Sequence, residues 1–379
     1  MADSHRDEAL RATEARRLDL ISEIGKKRNS VVISYLTTIR RGVGDSASID
    51  SDDTPVIEQH VRAARRNGAK NIDLVLMTEG GHAVVPWDLV AMVREYFPQG
   101  LFRVLLPSVA YSAGALICLG ADEIAMGMAS VLGPVDLQIG WWNGLGSGRR
   151  ASASDFQGFL DLMADQNVNP RLVRNKLMDW LSANADPAAI GSLYRLWKEN
   201  RRMVLNLLGS RRAPLTRAQN ERIAQFMLHG VGIHGQSIRR TEARAQGISF
   251  ITDTERTGLE PQIDTLFAIY ADVLRLNSPH ARTSEAYSKI MQAGDEEDYD
   301  AEGRHLSQTP VAIVESLHDT NPAYVAYALR HWNSVPPITP AAEPEKDVSI
   351  DERNIFAAAS QRSASTARFV SARTAKTLR

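Results

Sequence analysis

NIDLVLMTEGGHAVVPWDLVAMVREYFPQGLFRVLLPSVAYSAGALICLGADEIAMG, residues Asn71 to Gly127, decides the fold. NIDLVLMT reads as an apolar strand, EGGH as a glycine turn, Pro86 to Tyr96 as a helix begun by proline, and FRVLLPSV as the next strand. A helix of small residues, YSAGALICLGA, and a short strand, EIAMG, complete the run. Strands alternating with helices at this spacing predict parallel βαβ units with right-handed crossovers, whose binding crevice lies beyond the carboxyl ends of the strands. Both glycine-bearing turns fall at those ends.

Outward from this core the texture changes. VVISYL, after Ser30, predicts another buried strand, and Pro55 to Asn67 a helix with Val56, Ile57 and Val61 inward. Asp7 to Lys26 spaces Leu10, Leu18, Ile21 and Ile24 as an amphipathic helix whose narrow apolar face needs another surface, such as a second subunit. Downstream, the glycine-rich WWNGLGSGRR gives way to helical patterns over Ser154 to Gln166, Pro170 to Ala183, Pro187 to Leu208 and Arg217 to Leu228. IHGQSIRRTEARAQGISF then has a polar turn, a short helix and a glycine stop before an apolar segment that returns the chain to the sheet. From Asn277 the signal fades through the acidic GDEEDYDAEG and the proline-rich PPITPAAEPEKD to a basic tail that reads as disordered or partner-dependent. The expected organisation is an N-terminal helix over 1–29, an α/β core over 30–148, a helical subdomain and return over 149–275, and a C-terminal extension over 276–379.

Bulk composition limits the classes of function. The 44 basic residues nearly cancel 45 acidic ones, which leaves no long-range field for nucleic acid or an anionic membrane. Cys118 is the single cysteine, so no intrachain disulfide can form, and a reducing, cytoplasmic compartment is expected. The opening residues lack the apolar core of a secretory signal, and no stretch reaches the ~18 consecutive apolar residues of a membrane span. His229, His234 and Cys118 form no zinc-ligand spacing, and the turns lack the lysine of a phosphate loop, so neither metal nor cofactor is expected.

Thr78-Glu79-Gly80-Gly81 and Tyr111-Ser112-Ala113-Gly114 each follow an apolar strand directly. Consecutive glycines let backbone approach a substrate and aim N–H groups into the cleft, and a serine opening a helix sits where negative charge is favoured. Together they describe an oxyanion hole built from Gly80, Gly81 and Ala113, with the N–H groups of Gly81 and Ala113 as donors, facing a nucleophile at Ser112. Either motif alone also reads structurally, as tight helix packing or as a turn.

LVLMTEGGHAVV, SVAYSAGALICLGADEIAMG and SVLGPVDLQIG resemble the serine dehydrogenase proteinase (SDH) family, related to Clp proteases and signal peptide peptidase A. The later IHGQSIRRTEARAQGISF is similar to a family segment of the form HDYxIxxxEAxxLGL. The resemblance implies a Clp/crotonase-like spiral of βαβ units with a helical subdomain, homo-oligomers built through helical arms, and hydrolysis of peptide or protein substrates through an acyl-enzyme on Ser112. Three positions depart from the family pattern: Glu79 stands where a proline is usual, Leu137 where the Pro-Val-Asp-Pro-Gln run has its second proline, and Gly235 where an aspartate follows the histidine. Glu79 is expected to face solvent or to pair with Arg103 or another cation, since an inward carboxylate would oppose an oxyanion.

The general base stays open. Lys176, the first lysine after Ser112, leads, with Lys198 next; His234 and His82 are the histidine candidates, and each reads equally as an ordinary helix or turn residue. Asp136 stands where Clp-type proteases carry their histidine and is read as a turn cap, and Trp141 and Trp142 line either a groove or a subunit contact. Besides the peptidase, two readings remain: a catalytically silent oligomeric scaffold and a crotonase-type acyl-CoA enzyme.

Overall fold

Apolar residues without alternation mark β1 (Val31–Thr37), β2 (Ile72–Met77) and β3 (Phe102–Leu106), and every residue of all three is buried. Strands of this kind must be covered on both faces, as parallel strands between helices are. The computed structural model describes residues 2–39, 47–135, 138–142, 148–152, 187–229, 236–274, 276, 310–317 and 324–327. All of them fall in one compact unit, Met1–Asn333.

β1, β2, β3, β5 (Glu123–Met126) and β10 (Ile251–Asp253) pair in parallel, and β11 (Pro310–Ser316) and β12 (Tyr324–Tyr327) extend the β1 edge antiparallel, giving the order β10-β5-β3-β2-β1-β11-β12. A second, three-stranded sheet joins β4 (Val109–Ala110), β6 (Val131–Leu132) and β9 (Ile238–Arg239). The strand order is that of a Clp/crotonase-like α/β fold, as expected.

The period of two along each strand divides the core. Ile33, Tyr35, Leu74, Leu76, Val104 and Leu106 pack toward α2 (Asp53–Arg66), α3 (Val85–Tyr96) and α4 (Ala113–Leu119), and also toward α5 (Pro187–Gly209) and α6 (Arg217–His229). Val32, Leu36, Val75, Met77 and Leu105 face α1 (Ala2–Arg28) and α8 (Glu260–Val273), the latter preceded by the short α7 (Arg240–Ala245) and a single turn. Leu20, Ile21 and Ile24 of α1 are therefore buried against their own chain, against Ile263, Leu266 and Tyr270. The surface expected from a second subunit is supplied by α8, which no sequence signal linked to α1.

The helices expected at Pro187 and Arg217 form, and the return segment delivers β9, α7 and then β10 beside β5. Two features were not foreseen. Residues 138–142 and 148–152 form an antiparallel hairpin that carries Trp141 and Trp142, and 310–316, in the stretch read as fading signal, is a strand paired with β1. The helical patterns over Ser154 to Gln166 and Pro170 to Ala183 lie outside the described residues, as does the tail.

Opposite ends of the sheet are built differently. At the amino ends of the strands, Asp73 accepts hydrogen bonds from Arg28 Nε at 2.7 Å, Ser30 Oγ at 2.7 Å and Arg103 Nε at 2.5 Å. Arg28 also grips Glu123 at 3.1 and 3.2 Å. Burial pushes the Glu123 carboxyl up, but Arg28, Thr252 and Arg103 outweigh it and hold the carboxyl below the ordinary range. A second buried cluster fixes β11, where Glu315 accepts both Arg17 Nε and a terminal guanidinium nitrogen at 3.1 Å and Tyr270 Oη at 2.7 Å.

Candidate active site

At the carboxyl ends of the strands, β2 runs out at Met77 and β4 at Ala110, and the segments beyond them lie side by side. Thr78 N–H donates to the Val109 carbonyl at 3.0 Å, and Tyr111 N–H to the Thr78 carbonyl at 3.1 Å. This pairing sets the Glu79-Gly80-Gly81 turn against Tyr111-Ser112-Ala113. A Cβ on Gly80 would come within 2.8 Å of the Ser112 Cβ and 3.0 Å of the Tyr111 carbonyl oxygen, so only glycine lets the two turns close.

Ser112 stands at φ 49°, ψ −113°, a left-handed conformation that an L-residue other than glycine adopts at a cost. Such strain persists only where the surroundings over-determine it, and it recurs at the sharp strand-to-helix turns that present nucleophilic serines. The residue is 9% exposed. Gly114 explains the rest of the motif, because a Cβ there would overlap the Thr78 methyl group. Cys118, six positions on, is buried on α4, and burial pushes its thiol up, so it offers no competing nucleophile.

The glycine turn is clamped from its other edge. Ile49 N–H donates to the Gly80 carbonyl and His82 N–H to the Ile49 carbonyl, both at 2.8 Å, which makes a parallel bridge between Ile49 and Gly81. A Cβ on Gly81 would overlap the Ile49 backbone. The peptide between Gly80 and Gly81 is planar and trans, so the Gly81 N–H points opposite to the Gly80 carbonyl that Ile49 holds. Ala113, first in α4, has no intrahelical acceptor for its own N–H. Gly80 N–H is used differently: it donates to Thr78 Oγ1 at 3.0 Å.

Glu79 is exposed, in line with the expected outward orientation. Its suggested partner Arg103 sits near the far end of β3, bound to Asp73 and the Arg28 carbonyl, so that pairing does not occur. His82 is exposed, with Nδ1 3.9 Å from Asp50 Oδ1. Lys198 is an exposed α5 residue whose Nζ lies 4.7 Å from the Tyr194 ring centroid. Lys176, His234 and Asp136 lie outside the described residues. Ser237, three positions after His234, hydrogen-bonds Tyr111 Oη through its hydroxyl at 2.9 Å, and the Tyr111 ring covers Gly133. The return segment therefore reaches the residue next to Ser112. Ile49 and Ser237 were not singled out from sequence, and Thr78 and Tyr111 only as members of their turns, because the contacts that give them a role reach partners distant along the chain. Among the described residues there is no group of His, Cys, Asp or Glu that would hold a metal ion, and no helix is long and apolar enough to cross a membrane.

Residues 6–145 match the family model of ClpP-like SDH-type serine proteinases. Two uncharacterized proteins of Methanocaldococcus jannaschii, MJ0137 and MJ1495, are 36% and 33% identical over 128 and 129 residues, a third of this chain in each case. The chain spans only 43% of the length of either relative. Among solved structures, a membrane-bound stomatin-specific protease aligns at 16% identity over 57% of this chain and 79% of its own, with a TM-score of 0.36. An enoyl-CoA isomerase from M. smegmatis aligns at 12% identity over 73% and 97%, with a TM-score of 0.31. The fold assignment stands on the strand order and the family match rather than on these alignments. Over residues 6–145 the chain is similar to the ClpP-like, SDH-type serine proteinases.

Proposed function

We propose that this protein is a serine endopeptidase that cleaves peptide bonds through an acyl-enzyme on Ser112. The observation that carries the reading is the strained Ser112 packed against a glycine turn that Ile49 clamps from its other edge. In this reading Ser112 Oγ attacks the scissile carbonyl, and the developing oxyanion accepts hydrogen bonds from the Gly81 and Ala113 N–H groups. Gly80 contributes close approach rather than a donor, since its N–H is taken by Thr78. The outward Glu79 removes the electrostatic objection that its sequence position raised.

The base that takes the Ser112 proton is Lys176 or His234. His234 is favoured by its place three residues before Ser237, which bonds the neighbour of the nucleophile. The substrate is a peptide or an extended protein segment, and the working unit is a homo-oligomer. A scaffold without activity would not need a strained serine, nor would an acyl-CoA enzyme that works through backbone donors alone.

The test is fluorophosphonate labelling followed by intact mass on wild type, Ser112→Ala, Lys176→Ala and His234→Ala. A single adduct lost with Ser112→Ala and with one of the two base variants is expected. A folded wild type that takes up no adduct would contradict the peptidase and leave the scaffold.

A further inference from the structure

Thr78 has two ends that touch the two halves of the site. Its hydroxyl accepts the Gly80 N–H at 3.0 Å, and its methyl group packs where a Cβ on Gly114 would stand, against the helix that Ser112 opens. The hydroxyl in turn accepts a hydrogen bond from Thr37 Oγ1 at 3.0 Å, and both threonines are buried. Thr37 ends β1, where it pairs with Ala312 of β11. Two neutral hydroxyls buried in an apolar sheet would cost stability if left unpaired, and here they satisfy each other and the turn.

We infer that Thr37 and Thr78 are positioning residues for the reaction: their linked hydroxyls fix the Glu79–Gly80 peptide, and so the direction of the next N–H, that of Gly81. The inference rests on the peptidase reading given above. Thr78 sets the turn from within, Ile49 holds it from outside, and Thr37 ties both to the edge where the C-terminal strand docks. With the Gly80 N–H released, the turn can rotate about φ of Gly80, which stands at 113° and is unhindered by a side chain. Small misplacements of this kind are costly, because an oxyanion donor works only within hydrogen-bond distance of the developing charge.

The experiment separates position from stability by pairing substitutions. Thr78→Val keeps the methyl contact and loses the hydroxyl, Thr78→Ser keeps the hydroxyl and loses the methyl, and Thr37→Val removes only the second hydroxyl. For each, the maximal rate and half-saturation of fluorophosphonate labelling are measured per folded molecule, together with amide hydrogen exchange over residues 78–82. Thr78→Val is expected to lower the maximal labelling rate by about 10-fold or more. Half-saturation should be little changed and exchange at Gly80 faster. Thr78→Ser should recover most of the rate, and Thr37→Val should fall between.

Wild-type labelling with Thr78→Val and Thr37→Val as fast as wild type would overturn the inference alone. So would a rate that follows melting temperature and not the presence of the hydroxyl. If Thr78→Val does not fold, the contrast between Thr37→Val and Thr78→Ser decides in the same way. Absence of labelling in wild type would overturn the peptidase reading and this inference with it, and unprotected Gly80 exchange in wild type would overturn the geometry independently of activity.

Discussion

The two ends of one sheet solve the same problem, holding neighbouring strands in register, with different chemistry. At the amino ends, charge is saturated: Asp73 is met by two arginines and a serine, and Glu123 by Arg28 and Thr252. Around the glycine turn, at the carboxyl ends of β2 and β4, the described residues show no such charge network between the strands, whereas further along the same edge Arg240 ties the ends of β5 and β10 through Met126, Asp253 and Glu255. Register is set by backbone pairs through Thr78, Ile49 and Ala110, by neutral threonine hydroxyls, and by glycines that let the backbone close. A site that must stabilise a transient negative charge gains from this arrangement. Fixed peptide dipoles serve a charge that comes and goes, whereas a resident ion pair would already have spent its field.

Breaking the charged end should cost the most stability and leave the chemistry alone. Asp73→Ala leaves the buried Arg103 guanidinium without its carboxylate and takes one of two carboxylates from Arg28, and a loss of about 3–5 kcal/mol in denaturant unfolding is expected. Labelling per folded molecule should be unchanged, and a proportional fall in that rate would erase the distinction between the ends. The reverse is expected of Gly81→Ala, whose Cβ would collide with Ile49 and displace the turn. Labelling should slow by about 100-fold or more, the scale of losing an oxyanion donor. A rate near that of wild type would place the donor elsewhere.

Much of this contrast was legible in the sequence, but only where it is local. The turn residues Gly80, Gly81 and Ser112 stand out because each motif follows its own strand directly, and the spacing between them is set by one βαβ unit. Ile49, Thr37 and the Arg28–Asp73–Arg103 network were not visible, since each joins segments about thirty or more residues apart that no periodicity links. β11 was missed for the same reason: its partner β1 lies about three quarters of the chain length away, and its seven residues sit between polar stretches. A second subunit was one candidate cover for the apolar face of α1 because α8, which covers it, follows after more than two hundred residues.

Acid sharpens the comparison. Glu123 has a folded-state pKa lowered by Arg28, Thr252 and Arg103 against the opposing effect of burial, so its stabilisation is present above the unfolded value of about 4.3 and is lost as pH falls through the lower folded value. Melting temperature should therefore drop through the acid range, and Glu123→Gln should flatten that drop. An unaltered profile in the variant would show that Glu123 is not among its causes. The smallest effect is expected at Tyr111→Phe, which removes one exposed hydrogen bond to Ser237, worth about 1 kcal/mol. Labelling should slow by a few-fold with half-saturation unchanged, and a complete loss would mean that Tyr111 takes a direct part in the chemistry.

The most direct test of Ser112 as a nucleophile facing backbone donors is a crystal structure with a peptide boronate bound. The expected result is boron bonded to Ser112 Oγ, with one boronate oxygen about 2.7–3.1 Å from both the Gly81 and the Ala113 nitrogens. Boron bonded to another residue, or its oxygens turned away from the glycine turn, would contradict it.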